Sequence, residues 1–187
     1  RNNAARTLLG IAAAFDSVFP RSLLLALAQA ENLPDTQPAL AYLIANRLLL
    51  AGDNDDSLWV SPPLREYTYQ REPAAQMQVR HHRAASFFRS EASILPAVRH
   101  LRLAGRWPEA AGLLLDNVQS IAGDLQLAEL RTELEAFPMP QLEPPLWLRV
   151  QTQLSDVCAA LGDNDAAVGA CRSAMKSATT QEAQAPL

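Results

Sequence analysis

Three histidines, two cysteines and seven glycines are where a reactive or ligand-holding site would first be sought in this 187-residue chain. His81 and His82 are adjacent, so a helix points them about 100° apart, and neither has a carboxylate three or four residues away to complete a metal site. They read as Arg-flanked helix histidines at a joint between domains. His100 lies one position off an apolar stripe and reads as a boundary residue rather than a ligand. None of the glycines is followed by lysine, which excludes the Walker A loop that cradles phosphates. No Ser/His/Asp constellation can be assembled from the spacing. Cys158 and Cys171 fall on apolar helix positions and read as reduced core thiols. The expectation is a non-catalytic chain with no metal or cofactor of its own.

The charged residues are more informative. The net charge of −4 conceals an asymmetry. Residues 61–107 carry eight arginines and all three histidines against three acids, whereas residues 108–187 carry four basic residues against eleven acidic ones. A basic middle followed by an acidic helical end points to internal docking or to a polar partner surface. Arg80, Arg83 and Arg89 lie on one long helical stretch with Phe87 and Phe88. If the phenylalanines are buried, the arginines crowd onto the remaining face. They are the candidate interdomain contacts, an exposed latch whose loss should barely alter stability.

The elements that position these residues follow from periodicity. Ser93 to Ala122, SILPAVRHLRLAGRWPEAAGLLLDNVQSIA, holds two amphipathic stripes separated by Gly105 and restarted at Pro108. Neither stripe can be buried by its partner alone, which is the logic of a helical repeat. Trp107 is expected to pack in that turn beside Leu101 and Leu114. Gly105, Ala110 and Gly112 recur as Gly162, Ala167 and Gly169, with the glycines 105 and 162 suited to helix C′ positions. Stripes through Leu127, Leu130, Leu134 and Phe137, and through Leu146, Val150, Leu154, Val157 and Leu161, flank a Pro-rich connector.

Upstream, Ala4 to Ala14 predicts a helix and Phe15 to Phe19 a connector. Pro20 opens a second helix through Leu23, Leu24 and Leu27, and Thr36 caps a third. Leu48-Leu49-Leu50 and Leu58-Trp59-Val60 flank a turn-rich spacer, Ala51 to Ser57, which predicts a β-hairpin. The fold class is therefore mainly α. A winged helix-turn-helix of three helices plus a β-hairpin (1–72) precedes TPR-like α-helical hairpin repeats (73–177) and a flexible tail (178–187). Arg1 at the start and the polar, Ala-rich end read as cuts in a longer chain. No apolar run approaches the ~20 residues of a membrane span, and a cytoplasmic location is expected.

A winged helix invites a DNA-binding reading, but Gln37 to Asn46 contains no Arg or Lys. Only Gln37 and Asn46, at its extreme ends, have side chains of the kind that read base edges. Direct DNA binding is not expected, and a protein-docking hinge fits better.

The order LLGIAAAFDSVFPRSLLLALAQ … PALAYLIANRLLL … LWVSPPLREYTYQ resembles the winged-helix segment that follows the nucleotide-binding domain in STAND signal-transduction ATPases. VRHHRAASFFRSE … AVRHLRLAGRWPEAAGLLLDN is similar to the opening of the TPR-like superhelix in bacterial STAND regulators. That group includes the maltose-activator-like branch of LuxR-type transcription factors, whose Pro-marked joints resemble Phe137-Pro138 and Pro145-Leu146. The resemblance covers about residues 4–176. It implies a regulatory module that couples ATP or ADP, bound upstream in the same longer chain, to a superhelix sensing a protein or small-molecule inducer. The partner would be that chain's nucleotide-binding domain. Ser61 takes the place where family members often have a histidine that reaches the phosphates of ADP. A hydroxyl can donate a hydrogen bond there but brings no charge. The competing reading is a free-standing TPR-like adaptor for a peptide or protein.

Overall fold

The computed structural model describes residues 2–52, 56–123 and 126–184. It is mainly helical, with a small antiparallel sheet, and divides into two compact units, residues 1–87 and 88–187.

Unit 1 opens with α1 (Asn2–Ala12), β1 (Phe19–Pro20), α2 (Arg21–Ala30) and α3 (Thr36–Ala45). β2 (Leu50–Ala51) and β3 (Ser57–Trp59) then form the expected hairpin, although residues 53–55 of its spacer lie outside the described residues. The sheet has three strands, in the order β1-β3-β2, with Phe19 opposite Leu58 and Leu50 opposite Trp59. The connector expected at Phe15 to Phe19 thus ends in an edge strand. Pro20 belongs to it, in extended backbone with φ −65° and ψ 139°, rather than to the first turn of α2. An edge is where a strand tolerates a residue without an N–H. Leu8, Ile11, Leu23, Leu24, Leu40, Leu43, Leu49 and Leu58 are buried and form the apolar core. α4 (Pro62–Tyr69) and α5 (Ala74–Ser90) follow, and the division between units falls inside α5 rather than at 72/73. The early turns of α5 belong to unit 1 because Arg80 ties them to Glu31 of the α2 C-cap.

Unit 2 contains the end of α5, then α6 (Ile94–Leu103), α7 (Trp107–Asp116), α8 (Val118–Gly123), α9 (Leu127–Glu135), a 3-10 turn (Met139–Gln141), α10 (Pro144–Ala160) and α11 (Asn164–Gln184). α6 packs on α7 and α10 on α11, while α10 also contacts α7 and α9. The two hairpins close in the same way. Gly105 and Gly162 have φ of 74° and 80°. The following N–H groups reach back one turn, Arg106 to Leu101 O and Asp163 to Cys158 O, each at 2.9 Å. This is the C-terminal cap that a left-handed residue makes possible. Ala110 and Ala167 are both buried. α11 continues to Gln184 through the stretch expected as a tail, and residues 185–187 lie outside the described ones. No helix among the described residues is long and apolar enough to cross a membrane.

The same cap recurs between α5 and α6, where Ser93 N–H donates to Phe88 O at 2.8 Å and the left-handed residue is Ala92, with φ 55°. An L-residue in that conformation costs about 1–2 kcal/mol. Glycine would remove that cost while giving the unfolded chain more freedom, worth about 0.4–1 kcal/mol. Because Ala92 is exposed and packs little, Ala92→Gly is expected to stabilise unit 2 by about 0.5–1 kcal/mol in urea titrations. A loss of stability would contradict this account of the turn.

Candidate functional site

The outer side of α3 is an uncharged, exposed surface of unit 1. The helix sequence, TQPALAYLIA, contains no charged residue, yet it lies on the protein surface with Tyr42 48% and Ile44 36% exposed. An apolar helix surface normally faces a core or another protein. Beside it runs a groove of about 520 Å³ lined by Leu9, Leu43, Leu48 and Tyr42, with Arg6 the one charged residue among its described lining. Gln37 is exposed, while the Asn46 carboxamide is committed to its own helix, donating to Tyr42 O at 2.8 Å. α3 itself carries no cation, its nearest being Arg6 in the groove and the exposed Arg47 just past its end, and it has no central side chain for base edges.

Ser61 is the residue before α4, half-buried, and its hydroxyl makes no capping hydrogen bond. Pro62 and Pro63 occupy the first helical positions and have no N–H. The Arg65 N–H is already bonded to Ser61 O at 2.9 Å. Of the four N–H groups that a helix N-terminus usually offers an anion, only those of Ser61 and Leu64 exist here. Ser61 therefore offers one hydroxyl and two backbone amides, with no cation of its own.

The three candidate arginines do not share an exposed face. Arg80 is fully buried. Its Nε and Nη2 donate to the two carboxylate oxygens of Glu31 at 2.8 and 3.2 Å, and its Nη1 donates to Glu72 at 2.8 Å. Gly10 of α1 makes room for this pair, since a Cβ there would collide with the Glu72 carboxylate and lie 3.1 Å from Arg80 Nη1. Arg80 is thus structural, and the expectation that its loss leaves stability unchanged is corrected. Arg89 is half-exposed and pairs with Glu109 at 3.1 Å within unit 2. Arg83 is half-buried and alone of the three has no ion pair among the described residues. The buried stripe of α5 is Met77, Arg80, His81, Ala84 and Ala85, whereas Val79 is 48% exposed.

His81 is buried, with its Nε2 3.3 Å from the Tyr69 hydroxyl. Burial lowers its pKa to about 4, assisted by the Arg65 charge and opposed by Asp16. His100 is also buried, stacked on Phe88 at 5.4 Å between ring centroids. No group of three or more metal-ligating side chains occurs among the described residues.

Unit 2 has its own buried charge. Glu133 of α9 is 1% exposed and is clamped by Arg99 Nε at 3.0 Å and Arg102 Nη2 at 2.5 Å from α6. Arg102 also lies over the Phe137 ring. Trp107 is half-buried and meets Phe137 edge-on, with centroids 6.2 Å apart, which makes Phe137 its aromatic partner. At the second hairpin, Asp163 accepts the Ala166 N–H and pairs with Arg131 at 2.9 Å; these two contacts hold its carboxyl below the usual range. Cys158 is buried as expected, but Cys171 is exposed on α11, with its Sγ 3.0 Å from the Ser155 hydroxyl.

Comparison with protein-family models, with curated proteins and with solved structures gives no match.

Proposed function

We propose that this chain is a non-catalytic regulatory module of a larger, ATP-dependent STAND-type transcriptional regulator acting in the cytoplasm. Unit 1 serves as a winged helix used for protein docking, and unit 2 as the start of a TPR-like array that receives the inducer signal. ATP and ADP belong to the nucleotide-binding domain of the longer chain, which is the partner of unit 1. The observation that carries this reading is the uncharged, exposed surface of α3 beside an apolar groove. The element order α-β-α-α-β-β, with β1 beside β3, supports the winged-helix part. The repeated glycine caps support the repeat part. Two exposed apolar side chains removed from water on docking would bias a two-state interface by a few kcal/mol, enough for nucleotide-dependent switching.

The test is calorimetric titration of this chain with the separately expressed nucleotide-binding domain of its longer chain, with ADP present. Binding is expected, and Tyr42→Asp should weaken it at least about tenfold, because a carboxylate would be desolvated in the contact. Salt-sensitive binding to duplex DNA, with no affinity for that domain, would overturn the proposal.

A further inference from the structure

The second hairpin of unit 2 carries an exposed apolar stripe whose counterpart in the first hairpin is covered. With Gly105 aligned on Gly162, Ala111, Leu114 and Val118 correspond to Val168, Cys171 and Met175 of α11. The first three are buried, where α10 packs on α7 and α9 on α8. Of the second three, Val168 is 47% and Met175 69% exposed, and Cys171 is exposed between them. The charges beside the stripe also differ. Pro108 and Leu115 correspond to Asp165 and Arg172, exposed residues two helical turns apart on one side of α11. Neither makes an ion pair with another described residue. A further hairpin packed on α11 as α10 packs on α7 would leave the Arg172 charge desolvated where the first hairpin has a leucine.

We infer that α11 pairs with α11 of a second copy of this chain, antiparallel about a two-fold axis beside Val168 and Gly169. Turning one copy about that axis sets Asp165 of each opposite Arg172 of the other. A patch carrying one acid and one base thereby becomes complementary to itself, as a two-fold contact requires. A parallel pair would instead place Asp165 beside Asp165 and Arg172 beside Arg172. Val168 meets Val168 at the axis, and Met175 reaches the other copy's hairpin corner at Leu161, which is exposed as well. A Cβ on Gly169 would meet nothing within 4 Å in its own chain, and its absence lets the second backbone come close at the crossing. One helix face is smaller than the ~800 Å² per partner of a stable interface, so the pair forms with a dissociation constant of about 10–100 µM. The inference goes beyond the reading of unit 2 as a signal-receiving array and does not depend on docking at α3.

Sedimentation equilibrium on the whole chain between about 5 and 500 µM should show monomer and dimer in exchange. Asp165→Arg or Arg172→Asp alone sets like charges opposite each other twice and should weaken pairing at least about tenfold. The two substitutions together restore both pairs with signs exchanged, and should return the dissociation constant to within about threefold of the original. Gly169→Gln adds a good helix former in open space, so it should keep the helical signal while also weakening pairing at least about tenfold. Tyr42→Asp should leave pairing unchanged, which separates this contact from docking at α3. A monomer at every concentration, single reversals without effect, or a double variant no better than the singles would each overturn the proposal. So would loss of the dimer in Tyr42→Asp, which would place the contact at α3.

Discussion

Arg80→Ala is expected to destabilise unit 1 by about 3 kcal/mol or more, the cost of removing one partner from a buried ion pair. The guanidinium is enclosed and holds two carboxylates, with Glu31 and Glu72 side chains only 13% and 16% exposed. Without it, two like charges face each other from the α2 C-cap and the turn before α5, with little water to screen them. The range is set at its lower end because the outer edges of both glutamates reach solvent. Hydrogen exchange resolved over α2 and α4 reads the effect in unit 1 alone. Arg80→Met combined with Glu31→Gln and Glu72→Gln should recover most of the loss, since a buried ion pair and its neutral replacement often differ little. A loss below ~1 kcal/mol for Arg80→Ala would mean that the network contributes nothing.

The second large effect is a pH dependence from His81. Its folded-state pKa is lowered from 6.5 to about 4, chiefly by burial. Below pH 6.5 the unfolded chain therefore takes up a proton that the folded chain refuses. Stability from this group is intact above pH 6.5, falls with decreasing pH, and levels off once pH passes about 4. The full loss is about 3 kcal/mol, since one pKa unit corresponds to about 1.4 kcal/mol. Between pH 6.5 and 5 few carboxylates titrate, so a decline of about 2 kcal/mol there belongs to the histidine. His81→Gln leaves the Tyr69 hydroxyl a partner and cannot titrate, so its profile should be flat over that interval. An equal slope in the variant would assign the decline to other groups.

Both effects arise where sequence reading went furthest astray, and for one physical reason. Reading α5 from its apolar residues put weight on Phe87 and Phe88 and assigned the arginines to the opposite face. The helical spacing from Met77 runs through positions 80, 81 and 84 and so points equally to Arg80 and His81. A charged residue can occupy a buried position when partners are supplied from elsewhere, and Glu31 is 49 residues away in the chain. Glu133 was hidden in the same way, three residues after Leu130, because its arginines lie on α6. Elements specified by local signals were legible: the glycine caps at 105 and 162 and the hairpin between Leu50 and Trp59. β1 was not, because a two-residue strand has no periodicity and exists only through pairing with β3. The uncharged composition of α3 could be read directly, while its exposed placement and the groove beside it required the fold.

The long reach from Glu31 to Arg80 also governs when unit 1 can be completed during synthesis. Unit 2 is built from neighbouring helical hairpins, whose contacts close short loops and form quickly. Unit 1 must instead join Phe19 to Leu58 and Glu31 to Arg80 across most of its length. Its core leucines are all translated by residue 58, yet Glu31 and Glu72 lack their cation until α5 leaves the ribosome. For that interval the nascent chain holds an incomplete unit with an apolar α3 surface. At elongation rates of about 5–20 residues per second, the interval lasts on the order of seconds. The nascent unit is then most open to capture by a chaperone.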